Sequence, residues 1–371
     1  MQIQMVDLVG QYRRYQTEID DALRGVLTNG RYINGPEVGS FASHLSAYLG
    51  GTHVIPCGNG TDALQIALMG LGLKPGDEVI VPAFTYAAAV EAAILLGLTP
   101  VVVDVDYDSF NILPEAVEAA VSKRTRALIA VHLFGQCCDM SPLLDTARRH
   151  GLRLIEDKAQ SLGAAYTFPD GRQVPAGTMG DIGILSFFPT KILGGYGDGG
   201  ALLTADEALA ERLRQLTVHG QSEKYRHRLI GCNSRLDSLQ AAVLDAKLPH
   251  IGAFIEARQA AAAVYDRLIR AEGLRIPFRL PASTHVFHQY TLRVSGGQRD
   301  ALKGRLQEAG IPSAVYYPLS IDRQEAYRSR IRIAGSLENA HRLTEEVLSI
   351  PIHTEMDDEL PAQIATYINT K

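Results

Sequence analysis

From about residue 50 onward this chain alternates short apolar runs with stretches of helical spacing, and that rhythm restricts it to few folds. Asp77–Val81, Val101–Val105, Ala127–Val131 and Arg153–Glu156 read as strands. Around them, Thr61–Leu71, Tyr86–Leu96 and Pro142–His150 carry helical patterns. Parallel strands need long crossovers, helices supply them, and those helices then cover the faces of the sheet. The expected class is α/β with a mostly parallel sheet. A long helical pattern with few breakers runs from about Leu236 to Ala271 and leads into a smaller C-terminal α/β unit. We therefore expect a large domain over residues 12–250 and a small one over 251–371, with residues 1–11 packing on the small one.

At 371 residues the chain can bury the core such a plan needs. The net charge of −5 offers no basic field for nucleic acid, so an anionic ligand needs a local site. The longest apolar run, near Ala92–Val103, contains Pro100 and falls short of a bilayer core of roughly 30 Å. The opening MQIQMVDLVGQYRRYQ has an early acid and no apolar stretch of a secretion signal. Cys57, Cys137, Cys138 and Cys232 lack metal-site spacing, so no metal is expected and free thiols in a reducing cytoplasm are.

The chemistry concentrates between Asp181 and Ala201. Ile182–Phe188 reads as a buried strand that breaks at Pro189 and enters a loop holding Gly194, Gly195, Gly197, Gly199 and Gly200. Lys191 sits in that hand-over. An ammonium just past a buried strand is costly to desolvate unless its charge has a use. A lysine that sheds its proton can form a Schiff base with an aldehyde such as pyridoxal phosphate.

Four other pieces suit such a site. Gly58-Asn59-Gly60-Thr61-Asp62 opens a helix whose amides and Thr61 hydroxyl can bind phosphate, and the same residues make an ordinary helix cap. Tyr86, in a turn after a strand, can stack on a flat ring or fill core. Asp157 ends a strand, where ligands of open α/β sheets gather, and can pair with a pyridine nitrogen; a solvated loop acid is the alternative. Asn233 and Arg235 can supply an amide and a guanidinium to phosphates, or cap a helix. Lys158 is a rival amine. It directly follows Asp157, so in extended chain the two side chains face opposite ways. Lys191 is the better anchor.

Taken together, these residues resemble the nucleotide-sugar aminotransferases related to DegT, within the fold-type I pyridoxal phosphate enzymes. The resemblance runs from Ile33-Asn34-Gly35-Pro36 to Leu348-Ser349-Ile350-Pro351. It is strongest in CGNGTDALQIAL, EDKAQSLGA, SFFPTKILGGYGDGGA and GCNSRLDSLQAA, which occur in that family's order and spacing. The resemblance implies an aspartate aminotransferase-like fold and pyridoxal 5'-phosphate held by Lys191, which also moves the proton. It implies that Asp157 pairs with the pyridinium, Gln160 bonds near the phenolic oxygen and Tyr86 stacks on the ring. Gly60, Thr61 and Ser186 take the phosphate, and Asn233 reaches in from a partner subunit of a homodimer with shared sites. Arg235 holds the diphosphate, while Tyr316, Tyr317 and His227 complete the substrate side. Glutamate donates the amine and a ketosugar accepts it.

Within that family, HLFGQC (His132–Cys137), the Phe84-Thr85-Tyr86 turn and HGQSEKYRH (His219–His227) look most like enzymes that aminate the C3 ketone of a UDP-linked glucosamine uronate in surface-polysaccharide synthesis. Amination of a 3-keto-6-deoxyhexose on dTDP, or at C4, is the runner-up. A cofactor-dependent dehydratase typically has histidine in place of Lys191, and a non-enzymatic nucleotide-sugar binder need not keep a covalent anchor. This chain departs from the family's pattern at Lys158, at Ala87-Ala88-Ala89, at Tyr316 and at Ser320-Ile321-Asp322.

Overall fold

The computed structural model describes residues 3–357 and 359–370. The large sheet is built from β1 (His53–Cys57), β2 (Glu78–Pro82), β3 (Thr99–Val103), β4 (Thr125–Val131), β5 (Arg153–Asp157), β6 (Ile182–Ser186) and β7 (Gly200–Thr204). Their order is β1-β7-β6-β5-β4-β2-β3, and a short strand at Arg332–Ile333 extends the β3 edge. Only β7 runs against its neighbours, β1 and β6; every other pair is parallel.

Side-chain alternation explains why these strands read as nearly continuous apolar runs. Val79 and Val81 enter one core while Ile80 enters the other, and Ile129 is likewise opposed to Leu128 and Ala130. Both faces are covered, so both sets must be apolar. Helices α1 (Gly60–Gly70) and α2 (Ala88–Leu95) cover the first face. The second is closed in part by Phe41, Leu45, Ala241 and Leu244.

The long helical pattern from Leu236 to Ala271 is in fact two helices, α3 (Ser238–Lys247) and α4 (Ile251–Leu268), joined by a 3₁₀ turn at Leu248–His250. Pro249 lacks the amide that would continue the first helix. The strand expected over Ile182–Phe188 ends at Ser186, and Phe188 turns out to solvent at 51% exposure.

Beyond α4 a second sheet forms from β8 (Leu274–Arg275), β9 (Tyr290–Val294) and β10 (Val347–Ile350), all antiparallel. It has its own core, with Tyr265, Leu292, Leu306 and Ile364. Ile3 packs against that core, Gln11 Nε2 donates to Thr354 Oγ1 at 3.1 Å, and Arg14 pairs with Glu355 at 3.1 Å. Residues 1, 2, 358 and 371 of the expected segments lie outside the described residues. Leu337, Ala340 and Leu343 return to the large core. We propose residue 250 as the division between two cores, with the stretch around 321–347 shared between them. Among the described residues no helix is long and apolar enough to cross a membrane. All four cysteines are unpaired.

Candidate functional site

The carboxyl ends of β1, β2, β4, β5 and β6 converge on one cavity of about 650 Å³. That is where open α/β sheets place their ligands, because the strand ends and the following loops leave a crevice there. Each end contributes a different chemistry.

After β1 comes the start of α1. Asn59 Oδ1 accepts the Asp62 amide at 2.8 Å and caps the helix, while the Asn59 carbonyl takes the Ala63 amide at 3.0 Å. The amides of Gly60 and Thr61 then remain at the positive helix end, facing the cavity that both residues line. Ser186, at the end of β6, closes the same corner. A β-carbon on Gly60 would lie 2.9 Å from that of Ser186, so only glycine lets the helix start approach so closely. The corner has the chemistry of a phosphate cradle.

After β5, Asp157 lines the cavity and accepts the Ala159 amide at 3.0 Å. Burial pushes its carboxyl above the ordinary range, against the pull of that amide, Lys191 and His132. Beneath it, His132 donates its backbone N–H to the Asp157 carbonyl at 2.9 Å. The His132 ring accepts the Cys138 amide on Nδ1 at 3.0 Å, so its Nε2 carries the proton donated to Glu156 at 2.9 Å. Glu156 also accepts the amides of Gly177, Met179 and Gly180. Burial raises the Glu156 carboxyl and these donors bring it below its ordinary value.

Lys191 follows β6, with its amide bonded to the Phe188 carbonyl at 2.9 Å. Burial lowers its ammonium from 10.5 to about 8, partly offset by Asp157. An appreciable fraction is therefore the free, nucleophilic amine near neutral pH. Lys158 is lowered to about 8 as well, so acidity does not separate the two lysines. Position does. Lys158 is fully buried on the far side of β5, against Gly177, and its Nζ has no hydrogen-bond partner among the described residues. Only Lys191 lines the cavity.

The remaining wall is aromatic and polar. Gln160 accepts the Phe134 amide at 2.9 Å and donates to the Tyr317 hydroxyl at 3.1 Å, keeping one N–H for a ligand. Tyr86 is 60% exposed at the rim, its ring 6.2 Å from that of Tyr317, and Tyr316 lines the same edge.

The structure thus brings Gly60, Thr61, Tyr86, Asp157, Gln160, Ser186, Lys191, Tyr316 and Tyr317 to one cavity. It does not bring Asn233, Arg235 or His227 there. Ser234, between the first two, accepts the Gly58 amide at 2.9 Å and donates to Asp62, so this loop backs onto α1. His227 lies exposed in the hairpin Gln221–His227, bonded through Nδ1 to the His219 carbonyl. Tyr225 and Ile230 beside it are 80% and 91% exposed. The sequence did not disclose His288, Gln289 and Asp198 as cavity residues. Nothing local marks His288 and Gln289, because only the pairing of the stretch before β9 with the loop after β4 carries them to the site. Another hollow of about 690 Å³ lies at the amino ends of β5 and β6, around Leu144, Phe168 and Asp181, away from Lys191.

The model of the DegT/DnrJ/EryC1/StrS aminotransferase family matches residues 13–369. The chain belongs to that family. A protein of Geobacillus stearothermophilus called a pleiotropic regulatory protein is 43% identical, over 97% of this chain and 95% of its own. The UDP-2-acetamido-2-deoxy-3-oxo-D-glucuronate aminotransferase of Pseudomonas aeruginosa is 41% identical, over 96% of each. A crystal structure of a family aminotransferase from Brucella abortus superposes with a TM-score of 0.94 at 39% identity, covering 99% of this chain and 98% of that one. The α/β fold is therefore that of the fold-type I aminotransferases, and the chain is an aminotransferase.

Proposed function

We propose that this aminotransferase uses pyridoxal 5'-phosphate to move an amine from L-glutamate to the C3 ketone of a nucleotide-linked sugar, most specifically a UDP-linked 3-keto-N-acetylglucosamine uronate destined for surface polysaccharide. One observation carries the reading. A lysine lowered to about 8, an aspartate and a helix-start phosphate cradle share one cavity at the ends of different strands. A binding protein has no need of a lysine held so near its neutral form there.

The residues present fit the cofactor. Gly60, Thr61 and Ser186 hold the phosphate, and the closeness of Gly60 to Ser186 makes the cradle tight. Asp157 holds a proton on the pyridine nitrogen, while the His132–Glu156 pair beneath keeps its backbone in place. Tyr86 covers a ring face and Gln160 orients the phenolic edge. When bound, the ring supplies an electron sink for the carbon that loses its proton. Lys191 anchors the group and carries that proton between carbons as acid and base.

Tyr316 and Tyr317 border the sugar. Asn233, Arg235 and His227 act in a partner's cavity, which makes the enzyme a homodimer, and we place it in the cytoplasm. Tyr86 and Phe188 at the cavity rim, and Tyr225 and Ile230 beside His227, are exposed, and exposed large apolar residues favour a covering surface.

The test is a panel of UDP- and dTDP-linked 3-keto and 4-keto sugars offered with glutamate, with product mass and amine position read out. Amination at C3 of the UDP uronate supports the reading. Exclusive use of a dTDP-6-deoxyhexose or of a C4 ketone overturns the substrate assignment. No bleaching of the cofactor band by glutamate overturns the donor.

A further inference from the structure

His288 lines the cavity, is 5% exposed, and belongs to neither the phosphate cradle nor the ring-nitrogen wall. Its Nδ1 is buried without a partner. Among the described residues its Nε2 makes no hydrogen bond and is not one of the fully buried unpartnered atoms, so Nε2 is the nitrogen open to the cavity. We propose that His288 is the donor that holds the α-carboxylate of the amino-acid substrate through its Nε2–H, and that passes the same contact to a sugar hydroxyl in the other half of the reaction. This rests on the transamination reading above.

The proton position follows from the charges around the ring. Arg258 is 2% exposed and does not line the cavity, so it lies on the buried side. It donates to the carbonyls of Phe287, at 3.1 Å, and Ile352, at 2.9 Å. A donor facing the cavity needs the ring's single proton on Nε2, which leaves Nδ1 bare toward the interior, where Arg258 is one of the two cations acting on the ring. Burial, with the charges of Lys191 and Arg258, holds the ring well below its ordinary 6.5, so it stays a single-proton donor at working pH.

The backbone is arranged to keep the ring there. Phe287, just before it, has φ 50°, and Phe134, facing it, has φ 57°. Left-handed residues of this size persist only where the surroundings over-determine them. A β-carbon on Gly135 would fall 2.8 Å from the Phe287 nitrogen and 2.9 Å from that of His288, so glycine is what lets the two turns touch. The Gln289 amide then bonds the Phe134 carbonyl at 3.3 Å.

The two-substrate chemistry explains why a neutral donor belongs here. Among the described residues lining the cavity, Lys191 is the only cation. An arginine would grip a carboxylate more strongly, and would then sit desolvated against a neutral sugar hydroxyl. An imidazole N–H serves both partners without stranding a charge.

The test uses cofactor-loaded enzyme and α-methyl-L-glutamate, which keeps the carboxylates and has no α-hydrogen, so that binding is read from the cofactor's absorbance shift without turnover. His288→Gln places an amide N–H near the Nε2 position, and His288→Asn places it near Nδ1. The dissociation constant should stay within about threefold of wild type for Gln, and rise about ten- to a hundredfold for Asn, the range for losing one hydrogen bond to a charged group. Cofactor affinity of the apoprotein should be unchanged in both. Equal binding by the Asn variant and wild type overturns the proposal, as does a parallel loss of cofactor affinity, which marks a structural role. If wild type shows no shift while glutamate still bleaches its cofactor band, the His288 contact alone is refuted. If glutamate does not bleach it either, the transamination reading falls.

Discussion

Lys158→Met isolates the energetic consequence of holding an amine in the core. The amine is fully buried without a hydrogen-bond partner, and its ammonium is lowered from 10.5 to about 8. Burial is the main cause, with Glu156 and Cys137 opposing it. Below pH 8 the folded and unfolded chains both hold the proton, and the desolvation cost is constant. Between pH 8 and 10.5 the unfolded chain still holds it while the folded chain has released it, so stability climbs with pH by about 1.4 kcal/mol per unit. A displacement of roughly 2.5 units corresponds to about 3 kcal/mol. Methionine fills similar volume and cannot titrate. Urea unfolding followed by far-ultraviolet circular dichroism, at pH 7 and pH 10.5, should show the stability of the variant relative to wild type falling by about 3 kcal/mol between the two. The offset at either pH also contains packing, which the difference cancels, while the attraction of Glu156 is already contained in the displaced value of about 8. A relative stability that does not change across that window refutes the account of Lys158 as a buried, displaced ammonium.

Three further outcomes follow from the site. Borohydride reduction of the loaded enzyme and peptide mapping should place the adduct on Lys191, and Lys191→Ala should lose both the adduct and all turnover; an adduct on Lys158 contradicts the geometry. Gly60→Val puts a β-carbon 2.9 Å from that of Ser186, so the apoprotein's affinity for pyridoxal phosphate, measured by absorbance titration, should fall at least about tenfold while secondary structure is kept. Finally, Lys191→Ala and Arg235→Ala subunits, each inactive alone, should recover about a quarter of wild-type activity when mixed and allowed to exchange, since half the dimers are mixed and each has one intact site. No recovery means that Arg235 does not act across subunits.

Much of this was legible in the sequence because it is local. Asp157 and Lys158 are adjacent in a strand, so their opposition follows from the pleat, and the structure puts one in the cavity and the other in the core. The glycine turn before α1 and the break at Pro189 are chemical signals at single positions, and both mark cavity walls. Pro249 was equally visible, yet the periodicity across it was read as continuous. A helical repeat reports which residues share a face and says little of where one helix hands over to the next.

What the chain order alone determined, then, was the alternation of strands and helices, the two covered faces of the sheet and the chemistry available at each strand end. Tertiary structure alone decided which strand ends meet, because β1 and β2, consecutive in sequence, are separated by four other strands in the sheet. It also decided that a histidine from beyond residue 250 completes the cavity wall. Propensity and pattern act over a few residues. The position of His288 depends instead on two strained turns that reach each other only when the second core docks on the first.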